Sequence, residues 1–156
     1  MDFTKDFFNL VLDFGDEWVI TKVEADHRKL EVYLYLKYIS DHYEDPDTLE
    51  SATLYDHTEL REWRHLDILQ YKCYVRCKIP RVRCKDGKTK QIAIGWTGKH
   101  DRHTYHFEIR IIELLQITKN QTKTAEFMDC SFRLVNRIMH RCTERGMQRR
   151  DFSIVP

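Results

Sequence analysis

The sequence has few of the parts from which catalytic sites are built. Glycine occurs five times in 156 residues, so few loops can wrap closely around a phosphate or an oxyanion. No Gly-rich phosphate loop and no G-x-S-x-G nucleophile turn occurs. There is no C-x-x-C, the close pairing that structural zinc sites use. Apolar runs extend for only a few residues, too short for the roughly 20 that span a bilayer. The start, Met1-Asp2-Phe3-Thr4-Lys5-Asp6, has no apolar export core. The five cysteines, Cys73, Cys77, Cys84, Cys130 and Cys142, are odd in number. They are therefore expected to be reduced thiols of a cytoplasmic protein.

What is present is a folded composition, 42% hydrophobic and 12% aromatic, with charge divided along the chain. Residues 1–60 hold 5 Lys/Arg against 15 Asp/Glu, and residues 61–156 hold 21 against 10. The net charge of +1 thus hides an acidic half and a basic half. Such a field draws the second half toward a polyanion, although two solvated faces can segregate charge without function.

The periodicity predicts an α+β chain. Phe3, Phe7, Leu10, Val11 and Phe14 recur at helical spacing. Trp18 to Glu24 and Leu30 to Tyr38 alternate as strands of a hairpin around Asp26-His27-Arg28-Lys29. Ser40 to Ser51, acidic and containing Pro46, reads as a loop. From Thr53 to Ile94 the chain is β-rich. Tyr71, Cys73, Val75 and Cys77 fall on one face, and Pro80 ends that strand. Asp86-Gly87 marks a tight turn, with Gln91 to Ile94 as the returning strand. Residues 1–98 therefore form a β-rich module and residues 99–156 a helical one.

In the second module, Phe107, Ile111, Leu114 and Leu115 stripe a first helix. Thr122 caps a short second one, with Ala125, Phe127 and Met128 inward. Ser131 caps a third helix that runs to about Glu144, with Gly146 as its stop. At about 100° per residue, Leu134, Val135, Ile138, Met139 and Cys142 share one face of it. Arg133, Asn136, Arg137 and His140 lie opposite, and Arg141 sits at the border. Thr122 to Thr143 has the layout of a helix-turn-helix, whose second helix enters the major groove. Arg133 suits a guanine edge and Asn136 an adenine edge. Arg137, His140, Arg141, Ser131, Thr122 and Lys123 complete the expected contact set, and the later arginines suit phosphates. The competing interpretation is a surface helix with solvated arginines. Within helical reach on the same helix, only Glu144 offers them a carboxylate.

Cys73, Cys77 and Cys84, with His42, His57 or His65, have no spacing that compels a metal site. Cys73 and Cys77 read instead as small core residues. Trp63-Arg64-His65-Leu66-Asp67 contains the His and Asp of a nuclease, but also reads as a turn with a buried Trp and a polar rim.

Several stretches together resemble one family. They are Trp18-Val19-Ile20-Thr21-Lys22-Val23-Glu24, Tyr55-Asp56-His57 with Arg61, Trp63-Arg64-His65-Leu66-Asp67, Tyr71, and Ile79-Pro80-Arg81-Val82-Arg83-Cys84. The helix-turn-helix ending in Arg149-Arg150-Asp151 completes them. This set resembles the N-terminal DNA-binding region of ISL-type bacterial insertion-sequence transposases. The resemblance implies a zinc ribbon between hairpin and helix-turn-helix. Its first cysteine pair would fall near Asp45-Pro46-Asp47-Thr48 and its second at Cys84 and Gly87. Three of the four ligands are missing, so the ribbon is expected to be metal-free, held by the apolar face of residues 71–79. It also implies that the DDE catalytic domain would follow, beyond Pro156.

The reading is a non-enzymatic protein, without cofactor or catalytic residues, that binds double-stranded DNA at insertion-sequence ends. Arg61, Arg64, Arg81 and Arg83 would extend its phosphate track. A separate catalytic transposase subunit is a further expected partner, and a homodimer is compatible with the layout. Two alternatives use the same residues differently: a transcriptional regulator, and an interaction module docking through the acidic half. A nuclease using His65 and Asp67 is the third.

Overall fold

The computed structural model describes residues 3–148. Arg149, Arg150 and Asp151, which contribute to the resemblance, lie outside the described residues. The chain divides between Tyr105 and His106 into two compact units. No helix among the described residues is long and apolar enough to cross a membrane.

The first unit begins with helix α1 (Phe3–Val11) and continues with seven strands. These are β1 (Trp18–Asp26), β2 (Glu31–Tyr38), β3 (Thr53–His57), β4 (Arg61–Ile68), β5 (Tyr71–Cys77), β6 (Pro80–Arg83) and β7 (Thr89–Gln91). They form a four-stranded sheet in the order β1-β2-β5-β4 and a three-stranded sheet in the order β3-β6-β7. The expected hairpin is present: β1 and β2 pair antiparallel from Trp18↔Tyr38 to Asp26↔Glu31. Asp26 closes its turn by accepting the backbone N–H groups of Arg28 and Lys29, both at 3.0 Å. Alternation in β5 buries Cys73, Val75 and Cys77, as their spacing predicts.

Three expectations for this unit are corrected. The Trp63-to-Asp67 stretch is a strand, not a turn. Trp63 and His65 are both buried opposite Val75 and Cys73 of β5. The returning strand of the 86–87 turn is Thr89–Gln91 rather than Gln91 to Ile94. Gly87 takes φ +81°, and the Cys84 N–H closes directly onto the Lys88 carbonyl at 2.9 Å, so pairing starts early. On α1, Phe3, Phe7, Leu10 and Val11 are exposed. The opposite side is the pinned one: Asn9 accepts the Ile20 N–H at 2.8 Å and donates to the Ile20 carbonyl at 3.1 Å. Phe8 and Leu12 thereby pack on the core, and Phe14 is buried just beyond the helix.

The centre of this unit is an edge-to-face aromatic cluster. The Trp96 ring lies 5.1 Å from Trp63, 5.6 Å from Trp18 and 5.8 Å from Phe14, all near perpendicular.

The second unit holds α2 (Tyr105–Thr118), α3 (Gln121–Met128) and α4 (Phe132–Gln148). Its buried apolar residues come from all three helices: Phe107, Ile111 and Leu114; Ala125 and Met128; Val135 and Ile138. Asn120, not Thr122, caps α3, accepting the Lys123 N–H at 2.9 Å. Thr122 is consequently an exposed first-turn residue. Phe127 is 69% exposed, because the short helix buries Thr124, Ala125 and Met128 instead. Asp129 ends α3 in the left-handed region, φ 50°, a conformation aspartate tolerates. Ser131 caps α4 as expected, accepting the Leu134 N–H at 3.1 Å. That helix continues through Gly146, and Cys142 is exposed rather than part of its apolar face.

Two substitutions test this packing. Ile138→Ala, in a fully buried position, should lower unfolding free energy by about 2–5 kcal/mol. Asn120→Ala should lower it by about 1 kcal/mol through loss of the cap. Urea denaturation followed by circular dichroism measures both.

Candidate nucleic-acid interface

Burial of Val135 and Ile138 sets the rotation of α4. Arg133, Arg137 and His140 are then exposed, and Asn136 is half-buried beside them. The side chains of Arg133, Arg137 and His140 make no hydrogen bond or ion pair among the described residues. Thr122 and Lys123, in the first turn of α3, are exposed as well. Arg133 and His140 are two helical turns apart, roughly 10 Å at 1.5 Å per residue. That length fits a major groove about 12 Å wide.

The later arginines behave differently. Glu108 of α2 is buried, and its two carboxylate oxygens each accept from one guanidinium at 3.2 Å, from Arg141 and Arg145. Arg141 is half-buried by this grip. Neighbours on α4 alone could not reveal this partner, because Glu108 is 33 residues distant. The positive charge of α4 is therefore concentrated in its first half, where it is uncompensated.

The four first-unit arginines expected on the phosphate track have individual partners. Arg64 donates to Asp67 at 2.9 Å, with its side chain only 13% exposed. Arg81 grips Asp56 through two bonds of 2.6 and 2.9 Å. Arg61 donates to Gln91 at 3.1 Å. Arg83 lies over the Tyr55 ring at 4.7 Å and has no carboxylate partner among the described residues. Of this set, Arg83 is the cation left most open to a phosphate.

His65 is 3% exposed, with Nδ1 2.8 Å from the Thr104 hydroxyl. Asp67 is exposed and bound to Arg64. A buried, hydrogen-bonded imidazole and a surface carboxylate held by arginine do not form an acid–base pair.

The end of the three-stranded sheet gathers charge of both signs. The 45–47 loop and the 84–86 turn meet around the ammonium of Lys90 of β7. Its Nζ lies 2.9 Å from Asp45, 3.1 Å from Asp47 and 3.3 Å from Asp86. The Asp45, Cys84 and Asp86 ligand atoms lie within 4.8 Å of one another. The Asp47 N–H and then the Lys90 ammonium hold the Asp45 carboxyl well below the usual carboxylate range. Burial first, then Asp45, pushes the Cys84 thiol upward.

Residues 50–87 match the family described as the zinc-finger of transposase IS204/IS1001/IS1096/IS1165. The likeness is to ISL-type insertion-sequence transposases. The chain is 30% identical over 102 residues to the transposase for insertion sequence element IS1557 of Mycobacterium tuberculosis, in strains CDC 1551 / Oshkosh and ATCC 25618 / H37Rv. That alignment covers 63% of this chain and 23% of the relative, so the chain spans about a quarter of its length. No solved structure matches.

The zinc of that family description does not fit the residues present. One thiol and a set of carboxylates replace the sulfur and nitrogen donors of a closed structural site. An ammonium already lies among them. β5 belongs to the four-stranded sheet and the ribbon strands are β3, β6 and β7, and the apolar face of residues 71–79 (Cys73, Val75, Cys77 and Ile79) is buried in one core cluster with Val82, Cys84 and Ile92.

The contrast within α4 is measurable. Arg141→Ala should lower the melting temperature by several degrees, because it strips a partner from a buried carboxylate. Arg137→Ala, at an exposed unpaired position, should leave it within about one degree. Thermal melts of the two variants beside the parent chain test the distinction.

Proposed function

We propose that this chain binds double-stranded DNA through the first half of α4, as the end-recognising part of a transposition system. The observation that carries the proposal is the uncompensated face of Arg133, Arg137 and His140 on the second helix of a helix–turn–helix layout. Asn136 borders the same face. Its amide suits an adenine edge, as the Arg133 fork suits guanine O6 and N7. Arg137, His140 and Lys123 supply charge or donors for phosphates, and Ser131 and Thr122 border them at the helix starts. Arg141 belongs to the scaffold of this face through Glu108.

In this reading residues 1–98 form a hairpin-and-ribbon module and residues 99–156 the DNA-reading module. Arg83 is the strongest candidate in the first module for a further phosphate contact, followed by Arg61. Strand cleavage and joining are the work of a separate catalytic subunit or domain. The relatives' printed name supports a role in transposition, and the engagement of His65 with Thr104 and of Asp67 with Arg64 speaks against the nuclease alternative built on those two residues.

Selection from a random duplex pool with the full chain tests the proposal, repeated with Arg133→Ala and Asn136→Ala. The parent chain should enrich one motif. Each variant should lose about 1–3 kcal/mol of discrimination at a single base position. No enriched motif with the parent chain would overturn sequence-specific recognition. A palindromic motif bound by a stable dimer would redirect the reading to a regulator.

A further inference from the structure

The ribbon end poses a chemical problem that a zinc ion would solve in the family whose description matches residues 50–87. The 45–47 loop and the 84–86 turn must be held together at the end of a small sheet. In this chain both sides bring negative charge, Asp45 and Asp47 from one and Asp86 from the other. Three carboxylates this close repel each other unless a cation sits between them.

That cation is already in the sequence. Lys90 extends from β7 with its side chain 19% exposed, and its ammonium meets Asp45, Asp47 and Asp86 at 2.9, 3.1 and 3.3 Å. An ammonium has three N–H donors, one for each of these carboxylates. Asp45, the most buried member at 4% side-chain exposure, also accepts the N–H of Asp47 at 2.8 Å and that of Thr48 at 3.4 Å. The Cys84 thiol is buried beside Asp45 and contacts the Val82 carbonyl at 4.0 Å. With the thiol protonated, one ammonium among three carboxylates leaves the same residual negative charge that four thiolates leave around a zinc ion.

We infer that the Lys90 ammonium has taken over the structural role of the ribbon's metal, tying the 45–47 loop to the 84–86 turn as an internal cation. The ribbon of this chain therefore closes without a metal ion. Cys84 serves as a packed apolar side chain rather than a ligand.

The full-length protein, expressed with zinc in the medium, tests this by metal analysis and thermal melts with and without EDTA. The expected result is well below one equivalent of zinc and a melting temperature indifferent to the chelator. Lys90→Met should lower the melting temperature by roughly 5 °C or more, and Lys90→Arg should retain most of it. Asp45→Asn combined with Lys90→Met should be no worse than the more damaging single change, because Lys90→Met already removes the Asp45–Lys90 pair and leaves Asp45 an unpaired buried carboxylate. Cys84→Ser should remain zinc-free and EDTA-insensitive. One retained equivalent of zinc, with EDTA lowering the melting temperature of the parent chain, would overturn the inference. So would additive effects of Asp45→Asn and Lys90→Met. Should Lys90→Met fail to fold, the metal content and EDTA response of the parent chain and of Lys90→Arg still decide the matter.

Discussion

Burial of Val135 and Ile138 is the constraint on which the functional reading depends. The two residues are three positions apart and both fully buried, so they hold α4 at one rotation about its axis. A helix held this way has no freedom to choose which arginines it presents. Arg133 and Arg137 turn outward, and Arg141 and Arg145 turn onto Glu108. The Glu108 grip reinforces the same rotation with charge. Two guanidinium groups share one buried carboxylate, which is well satisfied only while α2 and α4 keep their register. The exposed charge at the start of α4 is thus a consequence of packing and not merely of composition.

Composition alone overstates the charge available to a polyanion. Many cations of the first unit are locally engaged: Arg64 with Asp67, Arg81 with Asp56, Arg76 with Glu62 and Lys90 with three aspartates. Exposed pairs of this kind contribute little stability, but they reduce the field their members project. The acidic excess of residues 1–60 is partly consumed in the same way, at Asp45, Asp47 and Asp56. Of the arginines expected to meet DNA, Arg83 in one unit and Arg133 and Arg137 in the other keep their charge without a carboxylate partner among the described residues, a smaller set than the sequence suggests.

The β architecture was legible because alternation is a local signal. The 18–38 hairpin, the 71–77 strand and the 86–87 turn follow from residues that are neighbours in sequence. The Ser131 cap and the rotation of α4 were legible for the same reason. Features fixed by distant partners were not. The bonds from Asn9 to Ile20 of β1 decide which side of α1 is covered, and the apolar spacing of Phe3, Phe7 and Leu10 carries no trace of them. Phe127 looked inward by spacing, although an eight-residue helix capped by Asn120 has room to bury only one narrow face. Arg141 stood at the border of the wheel, and only a residue on another helix decides its fate. The ribbon likeness of residues 50–87 was readable in the sequence, yet the place of Lys90 was not. A lysine in a basic half looks like surface charge until the 45–47 loop is brought beside it.

The central claim is that unpaired cations on the first half of α4 meet DNA phosphates and bases. Its most direct test is the salt dependence of duplex binding, measured by fluorescence anisotropy for the parent chain, Arg137→Ala and Arg145→Ala. The account predicts that log affinity falls linearly with log salt for the parent. Arg137→Ala should be shallower by about 0.9, the value of one phosphate contact. Arg145→Ala, whose guanidinium faces Glu108, should keep the parental slope. Binding without salt dependence, or a slope lost with Arg145 and kept without Arg137, would contradict the account.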